Sequence, residues 1–194
     1  MHIGLHELEI MCRQGVFEVP EIESSVDVTS FIQNVTSISN GTSFAMEALL
    51  DYQTVTGSCN LSAKFCRPDD ESAAKRVVHV LSHGIGFDKS YWDLPYNNLI
   101  YSYIGVAVDQ YGYCTLSHDR FGVGNSSHAD PYTVFQALAE IAALYQLNSM
   151  LRKGTLLSVD HAFNESGTIV NVDHSFGRNS HSRLQQCNPT LPMH

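Results

Sequence analysis

The sequence predicts an α/β domain organised around a parallel sheet, and three observations point there. Short apolar, β-branched runs recur at VVHVL, CTLSH and TIVNV, the composition of strands buried on both faces. Segments with helical patterning lie between them. Each run also ends in a loop carrying glycine and chemically capable side chains, namely SHGIG, DRFGVGNSS and DHSFG.

Taken in order, residues 1–50 are weakly patterned. VDVTSFIQNVTSISNGTSF is rich in β-branched and turn-forming residues and predicts short strands and loops. From Tyr52 to Cys66 apolar and polar positions alternate well enough for an edge strand or hairpin. The polar run RPDDESAAKR then reads as a turn. Val77 opens the first buried strand. A helical segment is expected from about Asn97 to Tyr111, ended by Gly112, the residue type best able to take a left-handed cap. CTLSHDR is the second strand. Asp130-Pro131 predicts a helix start, a capping carboxylate before a first-turn proline. Val134, Leu138, Ile141, Ala142, Tyr145, Leu147 and Leu151 follow with helical spacing, and Gly154 sits just past the end. A turn at Asn164–Gly167 leads into the third strand. This alternation predicts right-handed crossovers and hence parallel pairing. Residues 51–177 thus form the domain, and residues 178–194 read as a divergent, irregular tail.

Composition narrows the function. With 194 residues the chain suits one domain, and a net charge of -9 excludes an electrostatic nucleic-acid binder. No stretch reaches the roughly 18 consecutive apolar residues of a membrane span. The N-terminal MHIGLHELEIMCRQG lacks the regions of a secretory signal. Against that, N-x-[ST] glycosylation triplets at Asn34, Asn40, Asn60, Asn125 and Asn164 suggest secretion. Cys12, Cys59, Cys66, Cys114 and Cys187 show no zinc-module spacing, and a Cys59–Cys66 disulfide requires an oxidising compartment. No metal or cofactor is expected, and oligomeric state is not legible.

In a parallel sheet the carboxyl ends of the strands meet at one edge, so the three loops should converge. They resemble those of the α/β-hydrolase superfamily, in particular secreted fungal serine hydrolases and esterase-like proteins. The matching stretch runs from about Thr54 to Gly177, most tightly over VVHVLSHGIGFDKSYWD, GYCTLSHDRFGVGNSSHADP and DHSFG. The resemblance implies a small-molecule ester or acyl substrate, and a family fold that continues past residue 194. The expectation is therefore an incomplete α/β-hydrolase fold with a parallel core, its later strands and helices missing.

The same resemblance assigns roles. Ser175 occupies the nucleophile position, on a strained strand-to-helix turn. Such a turn needs small residues two before and two after the serine. Gly177 meets that demand, whereas Asp173 adds bulk and a negative charge that opposes an emerging alkoxide. His83-Gly84-Ile85-Gly86 resembles the oxyanion loop, with the backbone N–H groups of Ile85 and Phe176 as donors. Read alone, it is equally a tight turn with a buried His83 bonded to backbone. Asp119 and Arg120, with Gly122 and Gly124, resemble the family's strand-end loop and are expected to hold neighbouring loops by hydrogen bonds. His174 is expected to face away along the strand.

The family's triad follows the order serine, acid, histidine. No Asp or Glu follows Ser175, and only His181 and His194 remain as bases. The expectation is a hydrolase-family chain that is inactive by itself, with the acid and base absent. The alternative is a degenerate fragment acting as a non-catalytic binding or accessory protein, compatible with a fungal secondary-metabolite pathway. An unrelated secreted glycoprotein is the third reading.

Overall fold

The computed structural model describes residues 2–17, 25–70, 72, 74–98, 100–130, 134–156 and 167–177. Five strands form one sheet: β1 (His2–Phe17), β2 (Leu49–Cys66), β3 (Val77–Ser82), β4 (Cys114–His118) and β5 (Thr168–Asp173), in the order β1-β2-β4-β3-β5. The three runs read as buried strands pair in parallel, β3 with both β4 and β5. The sheet as a whole is mixed. β2 runs antiparallel to β4, and β1 runs antiparallel to β2.

Burial explains the apolar runs. Val78 and Val80 face one layer of the core, Leu81 faces the other, and all three are fully buried. Helix α4 (Ala137–Lys153) covers the first face through Ala139, Leu144, Leu147 and Leu151. Trp92, Ile104 and Val108 cover the second. At about 1.5–3 kcal/mol for each large apolar side chain removed from water, these two layers dominate the energetics. α4 ends at Gly154, whose φ of 64° matches the cap read from sequence.

Four expectations need correction. The segment read as short strands and loops contains two helices, α1 (Ser25–Thr36) and α2 (Gly41–Ala48). Phe31 and Phe44 pack edge-to-face at 5.7 Å between them, so tertiary contact overrides the low helix propensity of the Val and Thr residues. β2 is not an edge strand, because β1 covers its outer side along its length. The segment expected to be helical from Asn97 is short: α3 (Tyr103–Gly105) starts at the Ser102 cap and continues as a π-helical turn over Val106–Gln110. Asn97 and Asn98 hold φ of 47° and 56°, left-handed geometry that no right-handed helix accommodates. Finally, α4 begins at Ala137 and not at Asp130, whose carbonyl instead closes a turn with the N–H groups of Val134 and Phe135. Cys59 and Cys66 are separate thiols, as are Cys12 and Cys114. Asn164, Cys187, His181, His194 and the tail lie outside the described residues.

Candidate active site

The order β4-β3-β5 sets three strand ends side by side. Because Ser82 and Asp173 are register partners, the loop leaving β3 and the turn leaving β5 start as neighbours. His174 N–H donates to Ser82 O at 3.0 Å, and Gly177 N–H donates back to His174 O at 3.0 Å. The turn is thus hung from the last residue of β3. Within it Ser175 takes φ of 55°, a left-handed conformation rare for any residue with a side chain, and it is exposed.

Two glycines make room for this turn. A Cβ on Gly84 would lie 2.7 Å from His174 Nδ1 and 3.0 Å from Ser175 Cβ. A Cβ on Gly177 would lie 3.0 Å from Ser82 O and 3.4 Å from Asp173 Cβ. Asp173 therefore sits against Gly177 at the base of the turn. His174 does not turn away along the strand. Its ring stacks on Tyr91 at 4.5 Å and meets Phe87 edge-on at 5.6 Å, which places it over the loop after β3.

In that loop His83 is fully buried. Its Nε2 accepts from Arg120 N–H at 3.1 Å, so Nδ1 carries the proton and donates to Gly84 O at 2.8 Å. Burial holds the imidazole below its ordinary pKa, in the neutral form that this acceptor role requires. His83 is thus bonded to backbone on both ring nitrogens and clips the loops after β3 and β4 together. Ile85 is 70% exposed beside it, and Gly86 takes φ of 81°.

The loop after β4 is held from inside. Asp119 is fully buried and accepts from Lys89 N–H at 2.9 Å, Lys89 Nζ at 2.5 Å and Asn125 N–H at 3.4 Å. Gly124 is required there, since a Cβ would stand 2.3 Å from Asp119 Oδ2, while Gly122 faces open space. Arg120 reaches Glu140 on α4 through Nε at 2.9 Å and Nη2 at 2.6 Å, and its guanidinium lies 4.6 Å from the centre of the Phe176 ring. Burial raises the Glu140 pKa, and the Arg120 charge opposes that rise.

Beneath the turn, Ser82, His118, Arg120, Glu140 and Gly177 help line a cavity of about 20 Å³. That is room for about one water molecule. His118 is pushed down to about 3 by burial, with His83 adding to the effect.

Sequence reasoning missed Lys89, Glu140, His118 and the Phe87–Tyr91 pair. Lys89 and Glu140 are separated from Asp119 and Arg120 by 30 and 20 residues, and no local pattern links them. Four of the glycosylation candidates, Asn34, Asn40, Asn60 and Asn125, are exposed. Among the described residues no hydrogen bond joins another side chain to Ser175 Oγ. No cluster of described residues could hold a metal ion, and no described helix is long and apolar enough to cross a membrane.

No family model and no curated protein matches the chain. Among solved structures it is similar to an epoxide hydrolase from Vigna radiata, at 16% identity and a TM-score of 0.44. It is also similar to a lidless α/β serine hydrolase from Xanthomonas campestris, at 15% and 0.45. A third is Est1E from Butyrivibrio proteoclasticus, solved with ferulic acid, at 15% and 0.46. The matched regions cover 68%, 66% and 66% of this chain. The chain spans 32%, 51% and 44% of the respective relatives.

Proposed function

We propose that this chain carries a serine-hydrolase-type site for an ester or related acyl compound, with Ser175 as the nucleophile. The observation that carries the reading is the left-handed turn at Ser175, packed against Gly84 of the neighbouring loop. Strain at a non-glycine residue persists only where its surroundings over-determine it, and such strain concentrates at functional sites. In this reading Ser175 Oγ attacks the carbonyl carbon while its proton passes to water, and the alcohol of the ester leaves as the tetrahedral intermediate collapses to the acyl-serine. The developing oxyanion is received by the N–H groups of Phe176 and Ile85. His83 and Gly84 fix the second donor, and Asp119 with Gly122 and Gly124 fixes the loop behind it.

Among the described residues no base reaches Ser175, so these residues make up the nucleophile and oxyanion half of the site. Such a half retains residual reactivity, on the order of 10³–10⁴ over water in serine proteases that have lost triad members. The expected behaviour is slow, single-equivalent modification of Ser175 by a fluorophosphonate, abolished in Ser175→Ala, without multiple turnovers of a p-nitrophenyl ester. Absence of an adduct at Ser175 would overturn the nucleophile assignment. Sustained turnover would show that a base outside the described residues completes the site.

A second reading, a non-catalytic binding or accessory protein, is favoured by one observation. Asp173 sits at the base of the serine turn, where a carboxylate disfavours an alkoxide. Asp173→Gly decides between the two. Faster labelling of Ser175 supports the nucleophile reading, and an unlabelled Ser175 in both forms supports the binding protein.

A further inference from the structure

Arg120 contacts the loop after β3 through its backbone, and the turn after β5 and helix α4 through its side chain. Its backbone N–H donates to His83 Nε2, which fixes the loop after β3. Its guanidinium lies over the Phe176 ring, in the turn after β5. The same guanidinium is held from behind by Glu140 of α4, through two hydrogen bonds of 2.9 and 2.6 Å to one carboxylate oxygen. Arg120 and Glu140 side chains are 14% and 13% exposed, so this anchor is shielded from most of the solvent that weakens surface pairs.

From these contacts we infer that Arg120 is a positioning residue that sets both oxyanion donors at once. The inference rests on the serine-hydrolase reading above and extends it to a residue that never meets substrate. Ile85 follows His83 by two positions, so the ring nitrogen that accepts from Arg120 N–H fixes where the Ile85 N–H points. Phe176 carries the other donor, and the cation over its ring face fixes the side chain on which that backbone turns. The two donors come from loops joined by the Ser82–His174 hydrogen bond and by the packing of His174 on Tyr91 and Phe87. Arg120 adds an anchor to both from the α4 side, and a misplacement of about 1 Å at an oxyanion site costs on the order of 10²-fold in rate.

Geometry explains why the residue is arginine. A planar fork can lie flat on an aromatic face and also donate edge-on to a carboxylate, whereas a lysine ammonium is a compact point charge on a flexible stem. Arg120→Lys therefore keeps the charge and loses the simultaneous contacts. The backbone N–H to His83 survives in any variant. The effect of the side chain on the loop after β3 thus passes through the position of the Arg120 backbone, which Glu140 and Phe176 hold from two sides.

The test uses the full ¹⁵N-labelled chain as wild type, Arg120→Lys and Phe176→Leu. Fluorophosphonate labelling of Ser175 is followed at several probe concentrations, to separate the limiting rate from half-saturation. In Arg120→Lys the limiting rate is expected to fall about tenfold or more with half-saturation unchanged, and the Ile85 and Phe176 amide resonances are expected to move together. A merely structural role would lower thermal stability without that split. Phe176→Leu keeps the buried ion pair and both backbone donors, and so folds even if Arg120→Lys does not. It is expected to shift the Ile85 amide across the site. Unchanged kinetics in the variants, or movement of only one of the two amides, would overturn the inference. If wild-type Ser175 takes no label, the nucleophile reading fails, and the paired amide shifts alone decide whether Arg120 couples the two loops.

Discussion

The strand ends around Ser175 and the N-terminal β1–α1–α2 region use their side chains differently. Around Ser175, His83 and Asp119 are fully buried, and each has at least two partners, while Ser82 Oγ, His118 Nδ1 and His174 Nδ1 are buried without a hydrogen-bond partner among the described residues. In α1, α2 and the turn between them several apolar groups are exposed, with Ile32 at 54%, Met46 at 62% and Ile38 fully open to solvent. The outer half of β2 is likewise exposed on most positions. A satisfied buried polar network specifies one arrangement, because each lost partner leaves a group stranded in low dielectric. An exposed apolar helix pair specifies far less. The difference separates strand ends fixed by buried polar groups from two helices that meet through Phe31 and Phe44 and leave much of their apolar surface exposed.

Core substitutions should break this symmetry most strongly. Leu116→Ala, at a fully buried position on β4, is expected to destabilise the chain by about 2–5 kcal/mol. Ile32→Ala on α1 should stay within about 0.5 kcal/mol. Chemical denaturation of the two variants checks the contrast. Equal losses would mean that the N-terminal helices are part of the same core.

Gly84→Ala comes next. The added methyl would press on the His174 ring and Ser175 Cβ, and overpacking of this kind costs about 1–3 kcal/mol. It should also disturb the serine turn, so labelling of Ser175 should fall by more than the stability loss explains.

Acid should act on the strand ends in particular. His118 is held down to about 3 by burial, and His83 and His79 are lowered by the same cause. A depressed folded-state pKa contributes stability above the unfolded value of about 6.5, and that stability is lost as pH falls toward the folded value. Glu140 works with the opposite sign. Its raised pKa means that the fold favours the protonated acid, a contribution present at low pH and lost as pH rises through the folded value. His118 sets the window between about 6.5 and 3, over which stability should decline by up to about 1.4 kcal/mol per pH unit, and His83 and His79 add to the decline below about 6.5. His118→Asn should flatten the decline in a pH series of melting curves.

Gly57→Ala should give the smallest effect and the opposite sign. Gly57 lies in the exposed half of β2 with nothing within 4 Å of a new Cβ, so the variant should gain about 0.4–1 kcal/mol from reduced freedom of the unfolded chain. A loss there would show that the outer half of the β1–β2 hairpin is more tightly covered than its exposure suggests.

What could be read from sequence follows the same division. The parallel core was legible because VVHVL and CTLSH are largely buried and their apolar runs record that burial directly, whereas TIVNV is only partly buried and was legible from its β-branched composition. The caps at Gly112 and Gly154 were legible because left-handed geometry selects glycine. β1 was not, since HIGLHELEIMCRQGVF alternates too irregularly to mark a strand, and its pairing with β2 is a long-range event. The helices α1 and α2 were misread because β-branched residues weigh toward strands until a tertiary contact reverses the balance. At the site, Ser175, Gly84 and Gly177 stood out as a local pattern. Lys89 and Glu140 did not, because a buried ion pair between distant residues leaves no trace in spacing.

The most direct measurement is a crystal structure of the chain after reaction with a fluorophosphonate. The account predicts phosphorus bonded to Ser175 Oγ, with one phosphoryl oxygen about 2.7–3.1 Å from both the Ile85 and Phe176 nitrogens. A phosphoryl oxygen turned to solvent away from both donors, or a modified residue other than Ser175, would contradict it.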